Sequence, residues 1–264
     1  MSTVLILGAL VGAIMGLTGS GGGILAVPAL VLSLDWTIAQ AMPVALVAVA
    51  ISASIGALDG LRKKQARYRA AILMALVGIP FSAVGVQLGQ VFSQRALNLV
   101  FAVLMLMIAV RQFRAVRAEE ALPGMHTDTA LCHVDQNTGR LVWTWKTGAV
   151  VSAIGATTGM FTGLLGVGGA FIMVPMLRRV TDISMQGVIA TVLLVMAMVS
   201  TGGIIMAAWH GVEVPMEVTV PFAAAGMVVG RMFVHRISTR YLQYGFTALV
   251  VVVGLAMGVR GLLG

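Results

Sequence analysis

Charged residues are scarce in this sequence. Of 264 residues only 10% are charged and 59% are hydrophobic, and the mean hydropathy is +1.01, whereas soluble domains carry about 25% charged residues. This composition excludes an ordinary soluble protein and predicts an integral membrane protein. Apolar stretches of about 20 residues, each long enough to span the hydrocarbon core as a helix, fill almost the whole chain. We therefore expect no separate soluble domain.

Cysteine and acidic residues are also few. The single cysteine, Cys132, excludes an internal disulfide and a cysteine-based zinc or iron–sulfur site, and we expect no cofactor and no resident metal. Asp and Glu number 9 against 17 Lys and Arg, which gives a formal charge of +8. In a membrane protein this excess indicates cytoplasmic loops that face anionic lipid, rather than a nucleic-acid partner.

Alternation of polar and apolar residues is nearly absent, which excludes the strands of an outer-membrane barrel. The stretches are rich in Leu, Val, Ala, Met and Gly, and the fold class is predicted to be all-α and polytopic. The first residues, "MSTVLILGALVGAIMG", contain no basic segment and continue into a Gly-rich string. We therefore interpret them as the first membrane segment rather than as a signal peptide.

The sequence contains an internal repeat. The string "GLTGSGGGILAVP", Gly16 to Pro28, returns as "GLLGVGGAFIMVP", Gly163 to Pro175, at an offset of 147 positions (175 − 28). Further along, the offset becomes 145 (230 − 85), where Gly85 corresponds to Gly230. The chain is predicted to consist of an N-terminal membrane repeat over 1–115, a cytoplasmic linker over 116–145 and a C-terminal membrane repeat over 146–264.

Each half begins with a long apolar segment, over 3–34 and over 147–178, and continues with three ordinary spans. The predicted spans are 40–60, 70–91 and 96–112 in the first half, and 185–209, 216–235 and 241–260 in the second.

The basic residues predict the topology, because Lys and Arg in short loops favour the cytoplasm. Five basic residues lie over 62–69, whereas the equivalent loop of the second half, 210–217, carries two acidic residues and a histidine. The next pair of equivalent loops shows the opposite bias. The loop of the first half contains Arg95 alone, whereas the loop of the second half contains Arg236 and Arg240. Equivalent loops are therefore predicted on opposite faces, and the two halves are predicted to be inverted.

This arrangement places 62–69, the linker and 178–184 inside, and Asp35, Arg95 and 210–217 outside. For that to hold, the long first segment of each half must leave and return on the same side. As one helix of about 32 residues it would reach about 48 Å, too long for a single span. Two arms of about 14–17 residues would each reach only about 21–25 Å.

A helical hairpin that is re-entrant, or made of two short bent spans, fits both the length and the topology. The glycines at 21–23 and 166–169 are then the turns, where positive φ and close backbone approach are needed. Broken helices at equivalent places in inverted halves indicate the binding site of a secondary transporter. The helix starts near Gly21 and Gly168 would direct free N–H groups inward, which suits an anion. Alternatively, the glycines serve only tight helix packing.

Polar side chains within the spans are the other candidates for a substrate path, although hydroxyls in apolar helices usually bond to backbone carbonyls. Arg231 either snorkels to the cytoplasmic surface or faces a cavity. The candidates are Ser20, Gln87, Asn98, Ser52, Ser54, Thr157, Thr158, Thr162, Thr191, Ser200 and Thr201.

Enzymatic sites find little support, and we expect that the protein is not an enzyme. The string "GLTGSGGG" lacks the Lys-Ser/Thr of a phosphate-binding P-loop. Ser20, the candidate nucleophile of a membrane protease, is replaced by Val167 in the second copy. The linker string "HTDTALCHVD" over 126–135 contains metal-ligand residue types, but a solvated segment explains it better.

The strings "GLTGSGGGILAVPAL" and "GLLGVGGAFIMVPML", together with "GIPFSAVG" and "GMVVGR" in the third spans, resemble the TauE/SafE sulfite-exporter-like family of bacterial membrane transporters. The resemblance covers both halves. It implies a protein of the bacterial cytoplasmic membrane that moves small anions outward, notably sulfite, organosulfonates or related carboxylates. By the motif match, two facing anion cradles would be formed by Gly21, Gly22, Gly23, Gly168 and Gly169.

The sequence departs from the family pattern in the second spans. Family members commonly carry a Gly-Thr-Ser run there, and the matching positions are 43–45 and 190–192, where only Thr191 keeps a hydroxyl. The resemblance then implies a more apolar site, with room for an anion that has an organic tail.

The sequence thus predicts a secondary transporter of small anions that works by alternating access. Its expected partners are a small anionic substrate and the lipid bilayer, with a homodimer as an alternative to a monomer. The alternative function is a non-transporting scaffold or accessory subunit that docks a partner through linker 117–146.

Overall fold

A computed structural model describes residues 23–34, 36–121, 144–166, 169–181, 183–209 and 239–263. Eight α-helices form the architecture of these residues. In chain order they are α1 (Gly23–Leu34), α2 (Ile38–Arg62), α3 (Tyr68–Val91), α4 (Gln94–Ala121), α5 (Trp145–Leu165), α6 (Ala170–Val180), α7 (Met185–Trp209) and α8 (Thr239–Leu263).

Five of these helices are long and apolar enough to cross a membrane. Their apolar stretches are Gln40–Arg62, Tyr68–Gly89, Gln94–Arg111, Trp145–Leu165 and Met185–Ile205. In α8 the apolar stretch is shorter, Thr247–Leu262. The predicted all-α, polytopic membrane fold is confirmed.

The start of the helix that follows each Gly-rich segment repeats with the offset of the sequence. α7 begins 147 positions after α2 (185 − 38). The N-caps repeat as well, because Thr37 Oγ1 accepts from the N–H of Gln40 and Ser184 Oγ accepts from the N–H of Gly187. The same hydroxyl cap therefore starts α2 and α7.

Equivalent helices of the two halves contact each other and run in opposite directions. Gly60, near the end of α2, lies against Ala190, near the start of α7. Leu46 of α2 lies against Gly203, near the end of α7. The first turns of α4 likewise contact the last turns of α8. Such antiparallel pairing of equivalent helices is what an inverted repeat requires.

The closest helix contact joins α3 of the first half to α5 of the second. Gly155 packs on the backbone of Met74, and Gly163 packs on the backbone of Ser82. Between them, Gly159 lies so close to α3 that a Cβ would overlap the backbone. Because both sets of positions ascend together, α3 and α5 run parallel, with the small-residue packing common in membrane helices.

Three buried apolar clusters of the described residues join the halves. The first contains residues of α2, α3, α5, α6 and α7, and the second contains residues of α1, α2, α4, α5 and α8. A smaller third cluster contains residues of α2, α3 and α7. Arg260 Nη1 of α8 also donates a hydrogen bond of 2.8 Å to the carbonyl of Val31 in the last turn of α1. Among the largest fully buried side chains are Met74, Ile154, Met173, Leu193, Phe101 and Leu165.

The predicted domain boundaries at 115 and 146 stay predictions. α4 continues to Ala121, beyond the apolar span predicted over 96–112. Beyond the apolar stretch, which ends at Arg111, the helix carries a further basic residue, Arg114.

Candidate functional site

The helix break predicted in the second half is present between α5 and α6. Gly166 ends α5 in the left-handed region with φ of 69°, and its N–H donates to the carbonyl of Thr162 at 2.8 Å. Gly169 precedes α6 and is also left-handed, with φ of 61°. Positive φ at both ends of the turn explains why glycine occupies these positions.

The first turn of α6 has free backbone donors. Gly169 is the N-cap residue and supplies no side-chain hydrogen bond. The N–H groups of Ile172 and Met173 both donate to the Gly169 carbonyl. Within the described residues, the N–H groups of Ala170 and Phe171 form no backbone hydrogen bond. A helix start of this kind attracts negative charge.

The break is buried in protein and contacts both halves. Gly166 packs against Met42 of α2 and Val27 of α1, which belong to the first half. Gly169 packs against Thr158 of α5. Irregular backbone at membrane depth is tolerated in such a location, where protein surrounds it or where it lines a cavity.

The hairpin formed by α5 and α6 begins and ends on the same side of the helix bundle. A Cβ on Gly89 would lie 3.3 Å from the carbonyl oxygen of Leu164, so the turn after α5 lies near Val91, where the parallel helix α3 ends. After the turn, α6 returns, and Gly187 in the first turn of α7 lies against the carbonyl of Gln65, just before α3. This path matches the same-side return that the charge pattern requires of the segment.

The two arms of the hairpin are unequal, which differs from the prediction of two similar arms of about 14–17 residues. α5 has 21 residues and α6 has 11, which correspond to about 31 Å and about 16 Å. α5 is longer because Thr144 caps it ahead of the apolar stretch, accepting from the N–H of Thr147. α6 ends where Thr181 adopts an extended conformation after two arginines.

In the first half, the described part of α1 starts at Gly23, the position equivalent to Ala170 of α6. α1 and α6 contact each other, and the start of α1 is buried, with Ile24, Leu25 and Val27 at most 3% exposed. Gly21, Gly22 and Ser20 lie outside the described residues. The prediction that the two breaks face each other therefore stays a prediction.

The other predicted site residues are dispersed. Gln87 lies on an exposed face of α3. Thr191 is fully buried, and its hydroxyl donates to the Gly187 carbonyl at 2.7 Å and accepts from the Arg67 N–H at 2.9 Å. Gly168 and Arg231 lie outside the described residues. Their predicted contacts with substrate stay predictions.

Several hydroxyls in or next to the described helices bond to the carbonyl one turn earlier, as expected in apolar helices. They belong to Ser54, Thr157, Thr162, Thr181, Thr191 and Thr201. Ser82, Thr158 and Ser200 differ, because their hydroxyl oxygens are buried and have no hydrogen-bond partner. Thr158 and Ser200 were among the sequence candidates, whereas Ser82 gave no signal that separates it from a packing residue.

Basic side chains concentrate at the end of the bundle where the hairpin begins and ends. Gln65 Nε2 donates to Gln186 Oε1 at 3.1 Å, which joins the loop before α3 to the start of α7. Lys63 forms an ion pair of 3.0 Å with Asp59. A surface rich in Lys and Arg attracts anions, and in membrane proteins it is typical of the cytoplasmic side. The basic residues near this end include Arg62, Lys64, Arg67, Arg69, Arg178 and Arg179.

A metal site finds no support in the described part of the chain, where no group of His, Cys, Asp or Glu side chains is placed to hold an ion. The linker residues His126, Asp128, Cys132, His133 and Asp135 lie outside that part.

A family model described as sulfite exporter TauE/SafE matches residues 4–257. The chain belongs to this family. The match includes both Gly-rich strings and both predicted halves, so the resemblance seen in the sequence is confirmed. No solved structure matches this TauE/SafE protein.

Curated relatives of this TauE/SafE protein are named as membrane transporters. A "Probable membrane transporter protein" of Xylella fastidiosa is 32% identical over 171 residues, 64% of this chain and 59% of the relative. The "Probable membrane transporter protein YunE" of Bacillus subtilis is 24% identical over 180 residues, 65% of each chain. The matches thus span less than two thirds of these relatives.

Proposed function

We propose that this protein is a secondary transporter that moves small anions, such as sulfite, organosulfonates or related carboxylates, out across the bacterial cytoplasmic membrane. Membership of a family described as sulfite exporters supports an anion, and the names of the relatives support transport rather than an enzymatic reaction. The predicted partners are the anion and the bilayer.

The observation that carries the proposal is the start of α6. It combines a buried helix break, a glycine N-cap without a side-chain acceptor, and N–H groups of Ala170 and Phe171 that form no backbone hydrogen bond within the described residues. In a low-dielectric interior such donors favour a bound oxyanion. The equivalent break in the first half would supply a second set of donors.

Alternating access is proposed from the pairing of equivalent helices. α2 with α7, and α4 with α8, form antiparallel pairs, which supports two inverted halves that rock around a site between them. The basic end of the bundle would be the cytoplasmic entrance, where it raises the local concentration of the anion.

The test is anion flux in proteoliposomes that contain the purified protein, with sulfite, methanesulfonate, acetate and sulfate as probes. We expect flux above that of protein-free vesicles for at least one oxyanion. Gly169→Ala should abolish most of this flux, since the substitution is strained at positive φ and moves the free donors. Gly148→Ala, in the same hairpin, is the matched control, because a Cβ there meets nothing within 4 Å.

Absence of flux for every oxyanion with the wild-type protein would contradict the proposal and favour the scaffold function through the linker. Equal flux of Gly169→Ala and wild type would contradict the role of the break. If Gly169→Ala does not assemble, thermal stabilisation of the wild-type protein by the same anions tests whether the protein binds an oxyanion. A ligand that binds the folded state must stabilise it.

A further inference from the structure

We propose that the hydroxyl groups of Ser82, Thr158 and Ser200 form a binding site for a singly charged oxyanion, next to the start of α6. The inference rests on the proposed anion transport and assigns side-chain donors to it.

The first argument is the state of these three hydroxyls. Their side chains are at most 1% exposed, and their oxygen atoms lack a hydrogen-bond partner. Buried hydroxyls are rarely left unpaired, because they lose their bonds to water. The neighbouring hydroxyls Thr157 and Thr201, on the same helices, are paired with carbonyls one turn earlier. Among the buried hydroxyls of the described residues, the unpaired state is therefore specific to these three. The other buried polar side-chain atoms without a partner are Asn98 Oδ1 of α4 and Arg67 Nε at the start of α3.

The second argument is that α3, α5 and α7, the helices that carry the three hydroxyls, meet at one place. Gly78 of α3 is the meeting point, because a Cβ there would lie 3.1 Å from both the Gly155 carbonyl of α5 and Val199 Cγ2 of α7. Thr158 follows Gly155 by about one turn, and Ser200 follows Val199 directly. On α3, Ser82 lies about one turn beyond Gly78.

Contacts of Ser82 extend this junction. A Cβ on Gly203, about one turn after Ser200 on α7, would lie 3.4 Å from Ser82 Oγ. The methyl group and the carbonyl oxygen of Thr158 in turn pack against Gly169, the N-cap of α6. The residues that carry the hydroxyls thus lie on helices that meet near the start of α6.

The third argument concerns charge. Every buried polar side chain within the described residues is neutral, being Ser, Thr or Asn. Hydroxyl and backbone donors can solvate one negative charge, but a second charge has expensive desolvation. The buried Arg67 Nε lies at the start of α3, about four turns before Ser82, so no buried cation of the described residues compensates a second charge at this junction. The site therefore fits a sulfonate, a carboxylate or hydrogen sulfite better than a dianion.

The experiment compares paired variants of the full-length protein. Ser82→Ala, Thr158→Val and Ser200→Ala remove the unpaired hydroxyls, whereas Thr157→Val and Thr201→Val remove paired hydroxyls at adjacent positions. The apparent affinity for methanesulfonate is measured by thermal stabilisation and by the KM of flux. Sulfate, which is also tetrahedral but carries two charges, is the second probe.

We expect each of the three variants to weaken apparent methanesulfonate affinity by roughly tenfold, as expected for a lost hydrogen bond to a charged group. The two control variants should stay within about twofold of wild type. Without anion, the three variants should be as stable as wild type or more stable, because an unpaired buried group is removed. Wild type should prefer methanesulfonate to sulfate.

Unchanged methanesulfonate affinity in all three variants, with wild-type flux intact, would overturn the site and leave the proposed transport standing. Lower stability without a change in affinity would show that the hydroxyls bind structural water only. Equal or stronger binding of sulfate would overturn the single-charge assignment. If the wild-type protein binds and transports none of the probes, the inference fails together with the proposed function.

Discussion

At the scale of single residues, Thr191 is a sequence candidate for substrate contact whose hydroxyl forms two hydrogen bonds within the protein. It is the only hydroxyl kept at the positions where the family commonly carries Gly-Thr-Ser. In the structure its one proton is donated to the Gly187 carbonyl, and its oxygen accepts from the N–H of Arg67, the N-cap residue of α3. These contacts favour a structural role, since no proton remains for an anion.

Thr191→Val should therefore lower stability and leave substrate affinity unchanged. The Arg67 N–H would lose its acceptor, and we expect a loss of about 1–2 kcal/mol in unfolding free energy. Thermal denaturation in detergent measures the first effect, and the KM of anion flux measures the second. Thr201→Val serves as the control, because its hydroxyl bonds only to a carbonyl of its own helix. A raised KM with unchanged stability would instead support the predicted contact with substrate.

The unpaired hydroxyls illustrate what sequence cannot provide. Thr157 and Thr158 are adjacent and chemically identical, yet one is paired with carbonyls of its helix and the other is not. The difference depends on which side of α5 faces its neighbours and on which rotamer the packing allows. Neither is determined by composition or periodicity alone.

At the scale of helices, hydropathy predicted the positions well. The span predicted at 185–209 is α7, Met185–Trp209, and the span predicted at 70–91 is α3, Tyr68–Val91. The spans are clear because apolar runs of this length are bounded by charged loops. The uneven hairpin was not predicted, since its arm lengths depend on the caps Thr144 and Gly166 rather than on hydropathy.

The glycines of α5 have a second role that the sequence left open as an alternative. Gly155, Gly159 and Gly163 allow α5 to approach the backbone of α3, whereas Gly166 and Gly169 form the break. Tight packing and helix breaking thus occur in one segment, at different glycines. The spacing of four residues distinguishes the packing set, as in other membrane helices.

Gly159→Ala should destabilise the protein, because its Cβ would overlap the backbone of Gly78. Overpacking costs about 1–3 kcal/mol even where side chains can shift, and backbone yields less easily. Gly148→Ala in the same helix meets open space, and it should be neutral or raise stability by up to about 1 kcal/mol through helix propensity. Thermal denaturation of both variants in the same detergent tests the contrast. Equal stability of the two variants would mean that α3 and α5 are less tightly packed.

At the scale of the whole molecule, the repeat was the most informative feature of the sequence. The offset of 147 positions, found from Gly-rich strings, also relates the boundaries of α2 and α7 and their hydroxyl caps (184 − 37). An internal repeat predicts structure because each local signal is duplicated together with the signals next to it in the sequence. These signals are helix caps, membrane spans and helix breaks. The relative direction of the halves was inferred from loop charges alone, and the antiparallel pairs α2–α7 and α4–α8 provide an independent argument for it.

Inverted halves predict that equivalent loops face opposite sides of the membrane. Thr37 and Ser184 are equivalent, both are exposed, and both cap the helix that follows. In a Cys132→Ser background, which removes the only cysteine, Thr37→Cys should react with a membrane-impermeant maleimide in intact cells. Ser184→Cys should react only after the cells are opened, because 178–184 is predicted to be cytoplasmic.

The two variants are matched, since each loses one hydroxyl cap at a cost of about 1 kcal/mol. A difference in labelling therefore reports location rather than folding. Labelling of both cysteines from the same side would indicate that the two halves have the same orientation in the membrane. Parallel halves would contradict the antiparallel pairing of α2 with α7, and alternating access would then need a different structural basis.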